Sequence, residues 1–343
     1  MCASRRMGCW RMEFPEDQHP LTQEIAIRHP ELRCVDRDGT VMTALSYCYP
    51  EVREDMISRF VDAAGMGFDA VEMIFSRGVP YVLFEPPFVE RFRARYGEDP
   101  RDLPLDEERV TALRCEIMTE FVRSLRRRLD EAFPDRRVGI HARGLFSLYE
   151  NKSVAVDLET WAKEGLIDAI ISFPQITREV LLPELFRADA PGRIDLAKYA
   201  EYARVKGHDL IYWNQNFRFH EPIRDSRGVP QGPKTQEERI REFAALERKY
   251  GVRFYADLMP RHMPPEEFRD FALELYRYGC ERFSLWDTYS RVPNRVQWSM
   301  VRRLGHKAEL QSFSDGEGEF WRVLPIVTIG GQDVSRYVPS FGG

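Results

Sequence analysis

The chain has 343 residues, 43% apolar and 31% charged, and a formal net charge of −5. This is the composition of a soluble globular protein with one sizeable core. A mildly acidic chain with no basic run interleaved with aromatics offers no field suited to nucleic acid. No apolar run is long enough to span a membrane, and the first residues lack the apolar core of a signal peptide, so the sequence reads as cytoplasmic. Cys2, Cys9, Cys34, Cys48, Cys115 and Cys280 form no CxxC pair and no zinc-ligand spacing, and read as free thiols.

In chain order, Arg6–Met12 offers a first strand. Pro50–Gly65 has the spacing of a helix that leads into a strand at Phe68–Phe75. A short helix over Pro87–Tyr96, closed by Gly97, precedes a long amphipathic one over Asp106–Phe133. The basic cluster Arg123, Arg126, Arg127 and Arg128 on that helix reads as a solvated face near its C-terminal end. Then come a strand at Arg137–Ala142, a helix at Leu158–Glu164 and a strand at Ile167–Phe173. Leu196–Lys206 is predicted helical and Asp209–Gln215 a strand, and a Gly/Pro-rich loop covers His220–Lys234. Thr235 caps a helix to Tyr250, which precedes a strand at Val252–Leu258. A helix at Pro264–Tyr278, a strand at Arg282–Asp287 and a helix at Asn294–Leu304 complete the pattern.

Alternating strands and helices predict a parallel sheet covered by helices. The expected fold is α/β, a (β/α)₈ TIM-type barrel lacking its first one or two βα units. Residues 1–305 would form the barrel, and residues 306–343 a C-terminal extension packed on it. An open doubly wound sheet is the alternative, but no GxGxxG follows any strand, and no cofactor is expected.

Side chains on a strand alternate between faces. If Val71, Met73 and Phe75 pack on helices, Glu72 points the other way, where a carboxylate is costly unless paired or used. The same argument turns His141 and Arg143 inward from one strand, and Tyr255 and Asp257 from another. Ser284 and Trp286 follow from a third, with Asp287 just past its end; Trp213 and Gln215 close a fourth, and Arg77 and Glu85 lie in the loop after Phe75. Carboxylates, amides, arginine and indole faces near C-terminal strand ends are the groups that a sugar site uses. Each has a plain structural alternative. Glu72 could pair with Arg77 or Arg143, Glu85 could hold its loop through backbone hydrogen bonds, and His141 and the tryptophans could be interior residues. No HxH or HExxH supports a metal.

At LSYCYPEVR (Leu45–Arg53), FDAVEMIFSRG (Phe68–Gly78), FVERFRARYGEDPRDLP (Phe88–Pro104) and IDAIISFPQI (Ile167–Ile176), the chain resembles glycoside-hydrolase-like proteins related to family ten. That resemblance implies a carbohydrate-active barrel in which Phe68–Phe75 is the fourth strand, or the third if Asp209–Gln215 belongs to the barrel. Either count makes Val252–Leu258 the seventh strand, where family ten carries its nucleophile, and Asp257 fits that place. Two departures stand out. Relatives carry an acid where this chain has Ile74, which shifts weight to Glu72 or Glu85, and the Asn-Glu pair ending the fourth strand is absent.

The expected function is therefore glycoside hydrolysis of an oligo- or polysaccharide. Glu72 or Glu85 would be the general acid and Asp257 the nucleophile or base. Arg77, His141, Gln215 and Asp287 would bind hydroxyls, and Trp213 and Trp286 would stack. The alternatives are a non-catalytic carbohydrate-binding barrel and a metal-dependent sugar isomerase, the latter requiring His141, Glu72 and Asp257 to converge.

Overall fold

The computed structural model describes residues 2–6, 25, 28–75, 80–104, 107–145, 147–172, 223–224, 230–231, 236–258, 265–285, 301–313, 328–329 and 332–333. The chain forms two compact units, one of residues 1–173 and 199–255, the other of residues 174–198 and 256–343.

The first unit opens with β1 (Cys2–Arg6), followed by an antiparallel hairpin of β2 (Arg33–Val35) and β3 (Val41–Leu45). The hairpin turns at Gly39, whose φ of 90° suits glycine. Of the strand expected at Arg6–Met12, Arg6 is the last residue of β1, and residues 7–12 lie outside the described residues. Helix α1 (Pro50–Gly65) begins with proline at its first turn and buries Val52, Met56, Ile57, Phe60 and Ala64, an apolar stripe at helical spacing. Strand β4 (Ala70–Ile74) leads to α2 (Pro86–Tyr96), which Gly97 ends in the left-handed conformation. The long α3 (Glu108–Ala132) buries Leu113, Ile117, Phe121, Leu125 and Leu129 along one face.

Of the basic cluster on α3, Arg126 departs from the solvated-face reading. It is only 6% exposed, and its guanidinium donates to Val138 O at 2.8 Å while pairing with Asp130. The carbonyl at the start of the next strand needs a donor there, and a long arginine reaches it. Arg123 and Arg128 do pair on the surface, with Glu164 and Glu54.

Strand β5 (Gly139–Arg143), short helices α4 (Leu148–Ser153) and α5 (Leu158–Lys163), and β6 (Ala169–Ile171) follow. Within the Gly/Pro-rich stretch, β7 (Ile223–Arg224) and β8 (Pro230–Gln231) form a two-residue antiparallel ladder. Helix α6 (Gln236–Tyr250) then leads into β9 (Arg253–Leu258). In this unit β1, β4, β5, β6 and β9 lie side by side, all parallel. The fold is therefore mixed α/β with a parallel sheet. A closed barrel is not formed among the described residues.

β9 passes from the first unit to the second after Tyr255. In the second unit its residues Ala256–Leu258 pair in parallel with β10 (Phe283–Leu285). Helices α7 (Pro265–Arg277) and α8 (Lys307–Ser312) and a small ladder of β11 (Thr328–Ile329) and β12 (Gln332–Asp333) complete it. The expected helix Leu196–Lys206 and strand Asp209–Gln215 lie outside the described residues, as does Asn294–Leu304 up to residue 300.

Candidate functional site

The two faces of the parallel sheet differ sharply. On one, Val71, Met73, Phe75, Ile140, Ala142, Ile170 and Phe254 are all 0% exposed. This is the face that alternation assigns to the helix side. The other face carries the polar residues. Glu72 of β4 and His141 of β5 are register partners, and Arg143 lies two residues beyond His141 on the same face. Through Ile171, the register continues from Arg143 to Tyr255 of β9.

Glu72 and Arg143 form a buried salt bridge, with Arg143 Nε donating to Glu72 Oε1 at 2.5 Å. Their exposures are 5% and 8%. Of the two pairings open to Glu72, Arg143 is the partner seen; Arg77 lies outside the described residues. A buried ion pair offsets a large desolvation cost and is a weak source of net stability. Beside it, burial holds the His141 ring below its usual pKa, as do Arg253 and Arg143, while Glu72 and Asp168 pull the other way. His141 is thus kept neutral, able to donate from one ring nitrogen and accept at the other.

The strand ends around this group are held by short-range bonds. Phe75 N donates to Arg143 O at 2.7 Å, and the buried Tyr81 hydroxyl donates to Phe75 O at 2.8 Å. Just past Arg143, Gly144 N donates to Ile171 O at 2.9 Å. The turn then folds around Asn151 of α4, which is 0% exposed. Leu145 N donates to Asn151 Oδ1 at 2.8 Å, and Asn151 Nδ2 donates to Ser147 O at 2.7 Å.

Glu85 sits in different surroundings. It is 0% exposed and occupies the N-cap position of α2, but its side chain makes no cap bond to that helix. Leu83 N donates to both of its carboxylate oxygens at 3.0 Å, Val35 N to Oε1 at 3.3 Å, and the Cys48 thiol to Oε2 at 3.6 Å. Burial raises its pKa above the ordinary carboxylate value, against the pull of the Glu85 and Leu83 backbone N–H groups, a bond from Cys34 and the Arg114 charge. These are the contacts of an acid that ties the loop before α2 to the β2–β3 hairpin. The buried thiols of Cys34 and Cys48 are themselves pushed well up, first by burial and then by the neighbouring Glu85 charge, so neither is a ready nucleophile. These two, with Cys115 and Cys280, are free cysteines, as the spacing implied.

A second group of carboxylates escaped the sequence reading. Ser147 caps α4, accepting from Glu150 N at 3.1 Å, and its hydroxyl donates to Glu150 Oε2 at 2.9 Å. Leu148 N donates to Glu242 Oε2 of α6 at 3.4 Å. Burial raises both Glu150 and Glu242, while Arg239 opposes it for each. The S-x-x-E spacing of Ser147 and Glu150 is a capping-box signature that could have flagged the turn.

Asp257 belongs to the second unit. It is 0% exposed and lies opposite Ser284 in the β9–β10 register, so these two share a face, as alternation implied. Trp213, Gln215, Trp286 and Asp287 lie outside the described residues. Among the described residues, no group of His, Cys, Asp and Glu is arranged to hold a metal ion, and no helix is long and apolar enough to cross a membrane.

No known protein family matches the sequence, and no curated protein does. Among solved structures, the chain is similar to the PgaB glycoside hydrolase domain from Bordetella bronchiseptica, with 11% identity and a TM-score of 0.43 over 76% of this chain. The match spans 63% of that structure, less than two thirds of its length. The glycoside hydrolase domain of PelA from Pseudomonas aeruginosa matches at 12% identity and a TM-score of 0.39, over 84% of this chain and 78% of that one. A β-galactosidase from Rahnella sp. R3 matches at 13% identity and a TM-score of 0.39, over 84% of this chain and 44% of that one.

Proposed function

We propose that this chain is a carbohydrate-active protein on the (β/α)₈ barrel plan, hydrolysing glycosidic bonds of an oligo- or polysaccharide. The observation that carries the reading is the Glu72–Arg143–His141 group on one face of a parallel sheet whose other face is apolar from β4 through β9. Carboxylate, guanidinium and neutral imidazole side by side supply the donors and acceptors that sugar hydroxyls need. The motifs shared with glycoside-hydrolase-like proteins supply the substrate class.

The geometry favours particular roles. In its salt bridge, Glu72 is an acceptor and offers no proton to a leaving group, so it suits the charge-stabilising or nucleophilic part better than the general acid. Glu85, sealed and bonded to backbone N–H groups, is assigned to its loop. Asp257 remains the candidate for the other carboxylate role, on the strength of its strand position and the resemblance.

One observation favours a second reading. An acid committed to an arginine is also what a non-catalytic sugar-binding barrel would keep. The test is hydrolysis of a panel of aryl glycosides and polysaccharides by wild type, Glu72→Gln and Asp257→Asn, with sugar binding measured alongside. Turnover that falls by about 10²–10⁴-fold in a folded variant supports the hydrolase. A folded wild type that binds sugars without turning any over replaces the hydrolase with the binder. If it neither binds nor cleaves sugars, the carbohydrate reading fails.

A further inference from the structure

We propose that Asn151 is the positioning residue of the candidate site, a latch that fixes Arg143 against Glu72 by locking the turn on which β5 ends. The inference rests on the reading of Glu72 and Arg143 as the sugar-facing pair, and concerns how that pair is held.

Gly144 and Leu145 follow Arg143 directly, so their path decides where the last residue of β5 stands. One side chain serves the backbone groups of this stretch and of Ser147. Asn151 Oδ1 accepts from Leu145 N at 2.8 Å, while Nδ2 donates to Ser147 O at 2.7 Å and to Leu145 O at 3.4 Å. The amide orientation is fixed by this pattern, because a flipped group would set donor against donor and acceptor against acceptor. Asn151 is 0% exposed, so no solvent substitutes for these bonds.

Gly144 shows how closely the latch is fitted. A Cβ placed there would stand 2.4 Å from Asn151 Oδ1 and 3.0 Å from its Cγ. Those separations are too short for any side chain, so the glycine is needed for space. The turn is also pinned to the sheet, since Gly144 N donates to Ile171 O at 2.9 Å and Arg143 O accepts from Phe75 N at 2.7 Å. Asn151, Gly144 and the two neighbouring strands therefore hold the residue whose guanidinium meets Glu72.

The test reads the pair directly and needs no sugar. His141 stands beside Glu72 in register, and the charged groups acting on it are Glu72 from β4, Arg143 from its own strand, Asp168 ahead of β6 and Arg253 from β9. Arg143 disfavours the imidazolium, so an Arg143 that is removed or displaced leaves Glu72 to favour it, and the His141 midpoint rises. The titration would be followed by NMR in wild type, Arg143→Gln as the reference, Asn151→Ala, and Gly144→Ala, which disturbs the latch from its other side. Thr119→Val is the control, because it removes the buried bond from Trp161 Nε1 without touching the turn.

We expect Asn151→Ala and Gly144→Ala to raise the His141 midpoint by at least half the shift seen in Arg143→Gln, and Thr119→Val to leave it unmoved. If Asn151→Ala does not fold, Gly144→Ala carries the test alone. A wild-type midpoint in a folded Asn151→Ala or Gly144→Ala variant overturns the proposal, as does an equal rise in Thr119→Val. Where wild type turns over a glycoside, the latch variants should also lose about 100-fold in kcat/KM. Failure of that reaction in wild type would count against the proposed function alone, since the titration stands without it.

Discussion

Glu72 and Glu85 are both buried carboxylates in the first unit, thirteen positions apart in the sequence, and they are answered in opposite ways. Glu72 stands on a sheet face and meets a guanidinium from the next strand. Glu85 stands in a loop and is met by Leu83 N, Val35 N and a thiol. A carboxylate satisfied by backbone donors is part of the wall, because moving it would strand those donors. A carboxylate satisfied by another side chain can have its partner drawn away by a ligand without breaking the ladder beneath it. Depth of burial does not separate the two acids; the origin of their partners does.

The sharpest way to break the comparison is to make the same change at both positions. Glu72→Gln leaves the Arg143 guanidinium buried without its anion, which is expected to cost about 3–5 kcal/mol. Adding Arg143→Gln removes the uncompensated charge and should recover more than half of that loss. Chemical denaturation of the single and double variants measures both. A single variant no less stable than the double one would mean that the pair is not electrostatically coupled.

Next in size is Glu85→Ala. It takes the acceptor from Leu83 N and Val35 N together, at a site with no solvent to replace it, and should cost about 1–3 kcal/mol for a stranded donor. The loss should appear as faster amide exchange at Leu83 and Val35, with the β4–β5 ladder unaffected. Equal exchange across both regions would instead make Glu85 part of the general core.

How much of this was legible in the sequence follows the range of the interactions. Alternation in Val71–Phe75 and Val138–Arg143 gave the two faces of the sheet, because period two is a property of the strand alone. The span Pro50–Gly65 could be read to the residue, since proline at the first turn and glycine at the last mark both ends. What was missed is what joins segments distant in sequence or too short for a period to show. Strands β2 and β3 span three and five residues, and only Asp38-Gly39 between them announced a turn. Arg126 looked like part of a surface cluster because its partner, the Val138 carbonyl, lies beyond the helix, just ahead of β5. Between Arg77 and Arg143 as partners of Glu72, no local rule could choose, since strand register decides it. The role of Asn151 is of the same kind. Its bonds are local, yet their importance comes from the neighbouring Arg143, whose own meaning lies across the sheet.

The smallest expected effect gives the finest test of the wall reading. Glu85→Gln keeps one carbonyl oxygen that can accept from both Leu83 N and Val35 N, as Oε1 does now; its amide takes the place of Oε2, giving up that oxygen's share of the Leu83 N bond and facing the Cys48 sulfur, a weak acceptor. Its stability near neutral pH should therefore stay within about 1 kcal/mol of wild type, well below the cost of the same change at Glu72. The pH dependence separates the two proteins further. Burial raises the folded-state pKa of Glu85, so in the window just above the ordinary carboxylate value the native state holds a proton that the unfolded chain has released. The stability this provides is complete at pH values below the unfolded pKa and is lost as pH rises through the folded one. Wild type should lose stability relative to Glu85→Gln across that window, and the difference should level off above it. Parallel profiles would mean that the backbone donors and the Arg114 charge balance burial at this site. The contrast between the two acids would then rest on geometry alone, on backbone partners at Glu85 and on the Arg143 guanidinium at Glu72.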